Sequence, residues 1–326
     1  MADLVHTLPF KRVSDSGRDA LENVILVDAE YNEIVDSYNQ AMRSYLETDQ
    51  LFNQFQWSYF ELCRLAPCDR GDFLTDEFQY GKFDPRTVTN GAFGNFISAA
   101  RNAIDKMDAV AGDYFGGRKS KGYLTFKKLP SSWIDRGGLY VLMYELRNPI
   151  QHGQTVVSVV PELGRYRLRL DLDQLADLHL FNTSKKLTSF ISRALSAIRG
   201  IDPEGSPFLC FRYSNMLYHE LVIELYSHFL KCVQPHVRMV NSQLRAMLSE
   251  HKEFVGQIEH NEFVAYSHGD RIHVVENLEI DGLKSIRTRG KEVDKMLAEA
   301  RKTVAFEQRH STVINPVCSV LSNLML

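Results

Sequence analysis

The stretch from Tyr144 to Gly153, YELRNPIQHG, sets an arginine, an asparagine and a histidine into a run that otherwise reads as helix. Arg147 carries a guanidinium that stays charged at any physiological pH, and its fork of donors matches the non-bridging oxygens of a phosphodiester. His152 carries an imidazole that titrates near neutrality, so it can give or take a proton in a transition state. Asn148 supplies an amide that can orient either group or bind an oxygen itself. The trio suits phosphate chemistry and demands no metal. In a straight helix, residues five apart emerge about 140° apart around the axis, so Arg147 and His152 would not share a face. Pro149 lies between them, lacks a main-chain donor and crowds the preceding turn, so a bend there is expected to swing His152 toward Arg147. The competing reading is purely structural. Arg147 would then sit exposed in the last turns of a helix, interacting with carbonyls, while His152 and Gly153 stop it.

The elements around the trio read as mostly helical. Residues 18–65 carry apolar side chains at three- and four-residue intervals without proline or internal glycine, and predict one long helix. Residues 67–91 hold two prolines and several glycines and predict a connection ending at Asn90-Gly91. A second helix is expected from Asn95, with Phe96, Ala99, Ala103, Ile104 and Met107 on one face. The basic stretch Gly116–Gly122, GGRKSKG, loosely resembles a phosphate-binding loop, but Arg118 stands where the lysine belongs and a helix precedes it. It reads as a mobile, solvated loop. A third helix is expected from Ser131 through the trio, capped by Ser131 or Ser132. Residues 154–172 then change period and predict a β-hairpin, with Tyr166, Leu168, Leu170 and Leu172 on one face and Arg165, Arg167 and Arg169 on the other. That positive face either lines an RNA groove or is the charged guard of an edge strand. Further on, a long helix should bend at Pro235, a small hairpin should cover roughly 262–277, and a charged helix should follow.

LRNPIQHG resembles the signature of the HEPN superfamily, in which an arginine and a polar companion precede a histidine by a few residues. Arg147, Asn148 and His152 match those three positions, and the helix NFISAARNAIDKMD is similar to the one that packs beside the motif helix in such bundles. The likeness covers residues 90–200 at most. It implies a mainly α fold: a HEPN-like helical domain over 1–200 with the hairpin at 154–172, and a helical extension with a small hairpin over 208–326. It further implies a metal-independent endoribonuclease with Arg147, Asn148 and His152 as its catalytic residues, leaving a 2′,3′-cyclic phosphate. Two copies of the motif would meet in a homodimer, as in toxins or phage-defence effectors restrained by an antitoxin or another regulatory protein. Arg165, Arg167, Arg169 and Arg101 are the expected RNA contacts, with Lys106 weaker. The alternative is a non-catalytic helical interaction module, or one that binds nucleotides or RNA.

Composition narrows the classes. The chain has 326 residues, 44% hydrophobic and 24% charged, with a formal net charge of -3, so nucleic-acid contact must come from a local patch. Five irregularly spaced cysteines give no disulfide framework, and with no signal-peptide core or membrane-length apolar run they predict a cytoplasmic protein. No HExxH or comparable cluster is present, and no cofactor motif is complete, so neither metal nor cofactor is expected. His219 and His228 lie nine apart on one expected helix and emerge on opposite sides, while Phe211, Tyr213, Tyr218, Tyr226 and Phe229 read as core aromatics.

Overall fold

The computed structural model describes residues 5–13, 19–26, 29–66, 74, 84–136, 138–162, 164–177, 185–201, 207–250, 262–268, 271–278 and 282–314. The chain is mainly helical. It divides into two compact units: Met1–Glu47 with Leu230–Lys291, and Thr48–Phe229 with Glu292–Leu326. The boundary expected between residues 200 and 208 falls inside the second unit.

The first unit holds a four-stranded antiparallel sheet in the order β2-β1-β6-β7, from β1 (Val5–Val13), β2 (Asp19–Leu26), β6 (Glu262–His268) and β7 (Arg271–Leu278). The expected hairpin near 262–277 is therefore present, with a register shift between Tyr266 and Ser267. The long helix expected over 18–65 is shorter: α1 runs Ala29–Leu65, and Asp19–Leu26 is a strand instead. Eight paired positions, His6 with Leu26 through Val13 with Asp19, tie β2 to β1, and β1 in turn pairs with β6. A short apolar run fits either period, and the ladder to β1, which is itself paired with β6 more than two hundred residues away, settles it. Residues 29–47 of α1 and 230–250 of α8 (Phe211–Glu250) also belong to this unit, with Tyr38, Tyr45, Val233 and Val237 buried. Helix α8 is continuous through Pro235.

The second unit carries the motif. Its α2 spans Pro85–Tyr114, ten residues earlier than the start expected at Asn95, and the anticipated turn at Asn90-Gly91 lies inside it. Asp84 explains the early start. Its carboxylate accepts from the Arg86 amide, and Pro85 occupies the first helical position, where a missing donor costs nothing. Apolar residues at three- and four-residue spacing then bury one face, including Phe93, Phe96, Ala100, Ala103 and Met107.

Turns at 115–120 follow, and α3 (Lys121–Arg136) begins well before Ser131. Ser120 caps it by accepting from the Tyr123 amide at 3.2 Å, whereas Ser132 lies within the helix and donates to the Leu129 carbonyl. The run beyond is divided between α4 (Gly138–Glu145) and α5 (Arg147–Gln151).

The expected hairpin is β3 (Ser158–Glu162) with β4 (Arg165–Asp171), and β5 (Phe208–Cys210) pairs on the other side of β4. The arginine-bearing strand is thus the middle of three antiparallel strands, which removes the edge-strand reading. Leu168 and Leu170 are fully buried on its inner face. Helices α6 (Leu172–Asp177) and α7 (Lys185–Ile201) lie between β4 and β5 in sequence, and α9 (Gly282–Ile314) ends the described chain.

Aromatic packing holds the unit together. Phe52 stacks on Tyr226 at 4.0 Å, Phe55 on Phe96 at 5.5 Å, and Phe96 meets Tyr218 edge-on at 6.0 Å. Each buried aromatic contributes roughly 1.5–3 kcal/mol, and each such pair about 0.5–1.5 kcal/mol more. Phe211, Tyr213, Tyr218, Tyr226 and Phe229 are all buried, as their spacing predicts.

Candidate functional site

The motif begins where α4 gives way to α5. The break falls at Leu146, and Pro149 accounts for its place. Pro149 has no amide hydrogen to give the Glu145 carbonyl four residues back, and its ring crowds that carbonyl. The bonds on either side survive, from the Leu146 amide to Leu142 and from the Ile150 amide to Leu146.

Arg147 opens α5 and lies half-buried against α2, where its Nη2 donates to the Asn102 Oδ1 at 3.3 Å. Its Nε is shielded from solvent and has no acceptor among the described residues. The guanidinium is thus steered by a side chain rather than by helix-end carbonyls. Asn102 was not singled out from the sequence. The only signal for it was the expectation that this helix packs beside the motif.

At the other end of α5 the chain closes in a Schellman turn. The Gln154 amide donates to the Pro149 carbonyl at 2.9 Å and the Gly153 amide to Ile150 at 3.0 Å, with Gly153 at φ +76°. Glycine is required there because a Cβ disfavours that left-handed conformation. His152 caps the helix through its backbone alone, its amide donating to the carbonyls of Asn148 and Pro149. The His152 and Asn148 side chains are exposed. The helix stop anticipated in the structural reading is therefore present, and it leaves the imidazole without a folding duty.

Two α2 residues fix the segment's position. A Cβ on Gly94 would lie 2.7 Å from the Ile150 Cγ2, so α5 rests directly on the α2 backbone. Asn90 reaches across to the chain entering β3. Its Oδ1 accepts from the amides of Val156 and Val157 at 3.0 and 2.9 Å, while its Nδ2 donates to the Val157 and Arg86 carbonyls. Asn90→Ala is expected to destabilise the protein by about 2–4 kcal/mol, because two buried amides lose their acceptor. Denaturant unfolding measures this, and a loss below about 0.5 kcal/mol would contradict the latch.

Three of the four arginines expected to contact RNA are already engaged. Arg101 donates from Nε to Asp105 at 2.8 Å and lies over the Tyr144 ring at 3.1 Å, while the Tyr144 hydroxyl bonds Asp105. Burial and the Asp105 charge push the Tyr144 phenol up to about 12. Arg167 and Arg169 both pair with Glu162, at 3.1 and 3.2 Å, and Arg169 covers the Phe208 ring at 4.4 Å. Of the three hairpin arginines only Arg165 is exposed, so the face is less positive than its sequence reads.

Hollows open among the described residues of this unit. A polar cleft of about 500 Å³ adjoins the motif, lined by Arg86, Asn90, Asn95 and Ser98 of α2 and by Ile150 and Gly153–Thr155. A largely apolar one of about 610 Å³ is lined by Tyr59, Met216, His219, Ile223, Met296 and Val304, among others. His219 stacks on Tyr59 at 3.6 Å and bonds Gln56 at 2.9 Å, and burial lowers its imidazole pKa to about 3. Among the described residues no group of three or more His, Cys, Asp or Glu is placed to hold a metal ion, and no helix is long and apolar enough to cross a membrane. Cys63, Cys210 and Cys232 form no disulfide among the described residues.

No family model, no curated protein and no solved structure matches this chain.

Proposed function

We propose that the chain is a metal-independent endoribonuclease of the HEPN type, acting as a homodimer in the cytoplasm. The observation that supports this reading most is the exposed imidazole of His152, which folding does not use, at the C-cap of the short helix that opens with an arginine steered by Asn102. In the reaction the ribose 2′-oxygen attacks the adjacent phosphorus and the bond to the 5′-oxygen breaks. This leaves a 2′,3′-cyclic phosphate and a 5′-hydroxyl. His152 of one subunit takes the 2′-proton while the same residue of the second subunit protonates the departing oxygen. Arg147 binds the non-bridging oxygens as their charge grows, and Asn148, exposed beside it, orients the phosphate. A toxin or phage-defence role, with an antitoxin or other regulatory protein as restraint, fits an enzyme whose substrate is cellular RNA.

A non-catalytic module that binds nucleotides or RNA is the second reading. It is favoured by the Schellman turn, which accounts for Gly153 without chemistry, and by the polar cleft beside it. Incubation with mixed RNA in chelator, followed by end mapping, separates the two. The nuclease yields cyclic phosphate ends, and Arg147→Ala lowers the yield by at least about a hundredfold. Intact RNA, or equal cutting by the variant, rules the enzyme out.

A further inference from the structure

The expected RNA contacts on the hairpin and on α2 are largely neutralised, but one strongly basic surface is not. Residues 108–128 contain five cations, Arg118, Lys119, Lys121, Lys127 and Lys128, against two carboxylates, Asp108 and Asp113. Asp108 takes two of the cations, Arg118 at 3.6 Å and Lys127 at 2.5 Å, and also accepts from the Tyr123 hydroxyl. Lys119, Lys121 and Lys128 are exposed, and none of their ammonium groups has a partner among the described residues. In a chain of formal net charge -3, this is a local concentration of free positive charge.

The local fold holds that charge in one place. Tyr123, Phe126 and Pro130 bury one face of α3, which leaves Lys121, Leu124, Thr125 and Lys128 on the outer face. Lys121 and Lys128 lie two turns apart, about 10 Å along the axis. Lys121 opens α3, and the first turn has no acidic residue. Cations therefore crowd the end of the helix whose dipole is already positive, an arrangement that a bound anion relieves.

We propose that the turn at 116–120 and the outer face of α3 bind the phosphodiester backbone of single-stranded RNA through Lys119, Lys121 and Lys128, by charge and without reading bases. This rests on the reading of RNA as substrate, and it adds a second surface that holds the strand while the Arg147–His152 motif cuts. An anionic membrane is disfavoured because the aromatic face of α3 is spent on the protein core. Among the described residues, only Leu124 and Ile134 remain as exposed large apolar side chains on that helix.

The test is equilibrium binding of the full chain to a fluorescent 2′-O-methyl oligonucleotide, which cannot be cut, at several salt concentrations. The wild type is compared with a triple variant, Lys119→Gln, Lys121→Gln and Lys128→Gln. Each lost phosphate contact removes about 0.7 from the slope of log K against log salt, so the triple variant should lose about 2 in slope. Its affinity near 0.1 M salt should fall at least about tenfold. An unchanged slope overturns the inference, as does failure of the wild type to bind. Co-sedimentation with phosphatidylserine vesicles, without RNA binding, would also overturn it and assign the surface to a membrane. End mapping on ordinary RNA keeps the two readings apart. Lysine-dependent binding without cutting sinks the nuclease alone, and cutting with lysine-independent binding sinks this surface alone.

Discussion

His152→Ala is expected to slow RNA cleavage by about 10²–10⁴-fold while leaving the fold intact. The size follows from removing a proton-transfer group in the transition state. The intact fold follows from the cap, because every hydrogen bond that closes α5 comes from the backbone and alanine can make the same ones. Thermal unfolding should change by no more than about 0.5 kcal/mol, as for an exposed position. The measurement pairs single-turnover cleavage of an end-labelled RNA with a melting curve. Equal rates for wild type and variant would remove His152 from the chemistry. A large drop in melting temperature would instead make the histidine structural. Arg147→Ala gives a contrasting profile, since it also loses the bond to Asn102 and the packing on α2.

Acid is expected to destabilise the second unit through His219. This imidazole is held neutral in the folded state, with a pKa lowered by burial from 6.5 to about 3. Below pH 6.5 the unfolded chain takes up a proton that the folded chain refuses. The unfolded state then binds more protons, and stability falls as the pH drops from about 6.5 toward about 3. The slope from this one group is about 1.4 kcal/mol per pH unit, so acidification from pH 6.5 to 4.5 removes about 2–3 kcal/mol. Other groups titrate over the same range, so the readout is a difference between proteins. His219→Phe keeps a ring against Tyr59 and Phe55 but cannot titrate, and its acid limb should be flatter by that amount. Parallel limbs in denaturant unfolding at pH 7, 5.5 and 4.5 would show that His219 is not held neutral.

Much of the helical frame was legible because periodicity is local. The apolar spacing of Phe96, Ala103, Ile104 and Met107 announces the buried face of α2, and the strict alternation in 165–171 announces β4 with Leu168 and Leu170 inward. The same logic misled at Asn90-Gly91, a dipeptide that reads as a turn. There Asn90 satisfies the backbone of Val156 and Val157, more than sixty residues on, and Asp84 has already started the helix. It misled again at residues 19–26, where strand pairing overrode a helical pattern.

The amino-acid order alone decided that this chain is mainly helical, that Phe211, Tyr213, Tyr218, Tyr226 and Phe229 fill a core, and that Arg147, Asn148 and His152 fall within six residues at a proline-marked helix end. Folding in three dimensions decided which charges are spent and which are free. Glu162 neutralises Arg167 and Arg169, Asp105 and Tyr144 absorb Arg101, and Asn102 steers Arg147, while Lys119, Lys121 and Lys128 meet no acid among the described residues. A side chain's type is written in its own codon, but its partners are set by the fold: Asp105 and Glu162 lie within seven residues of the arginines they hold, whereas Asn102 and Tyr144 come from segments more than forty residues from theirs.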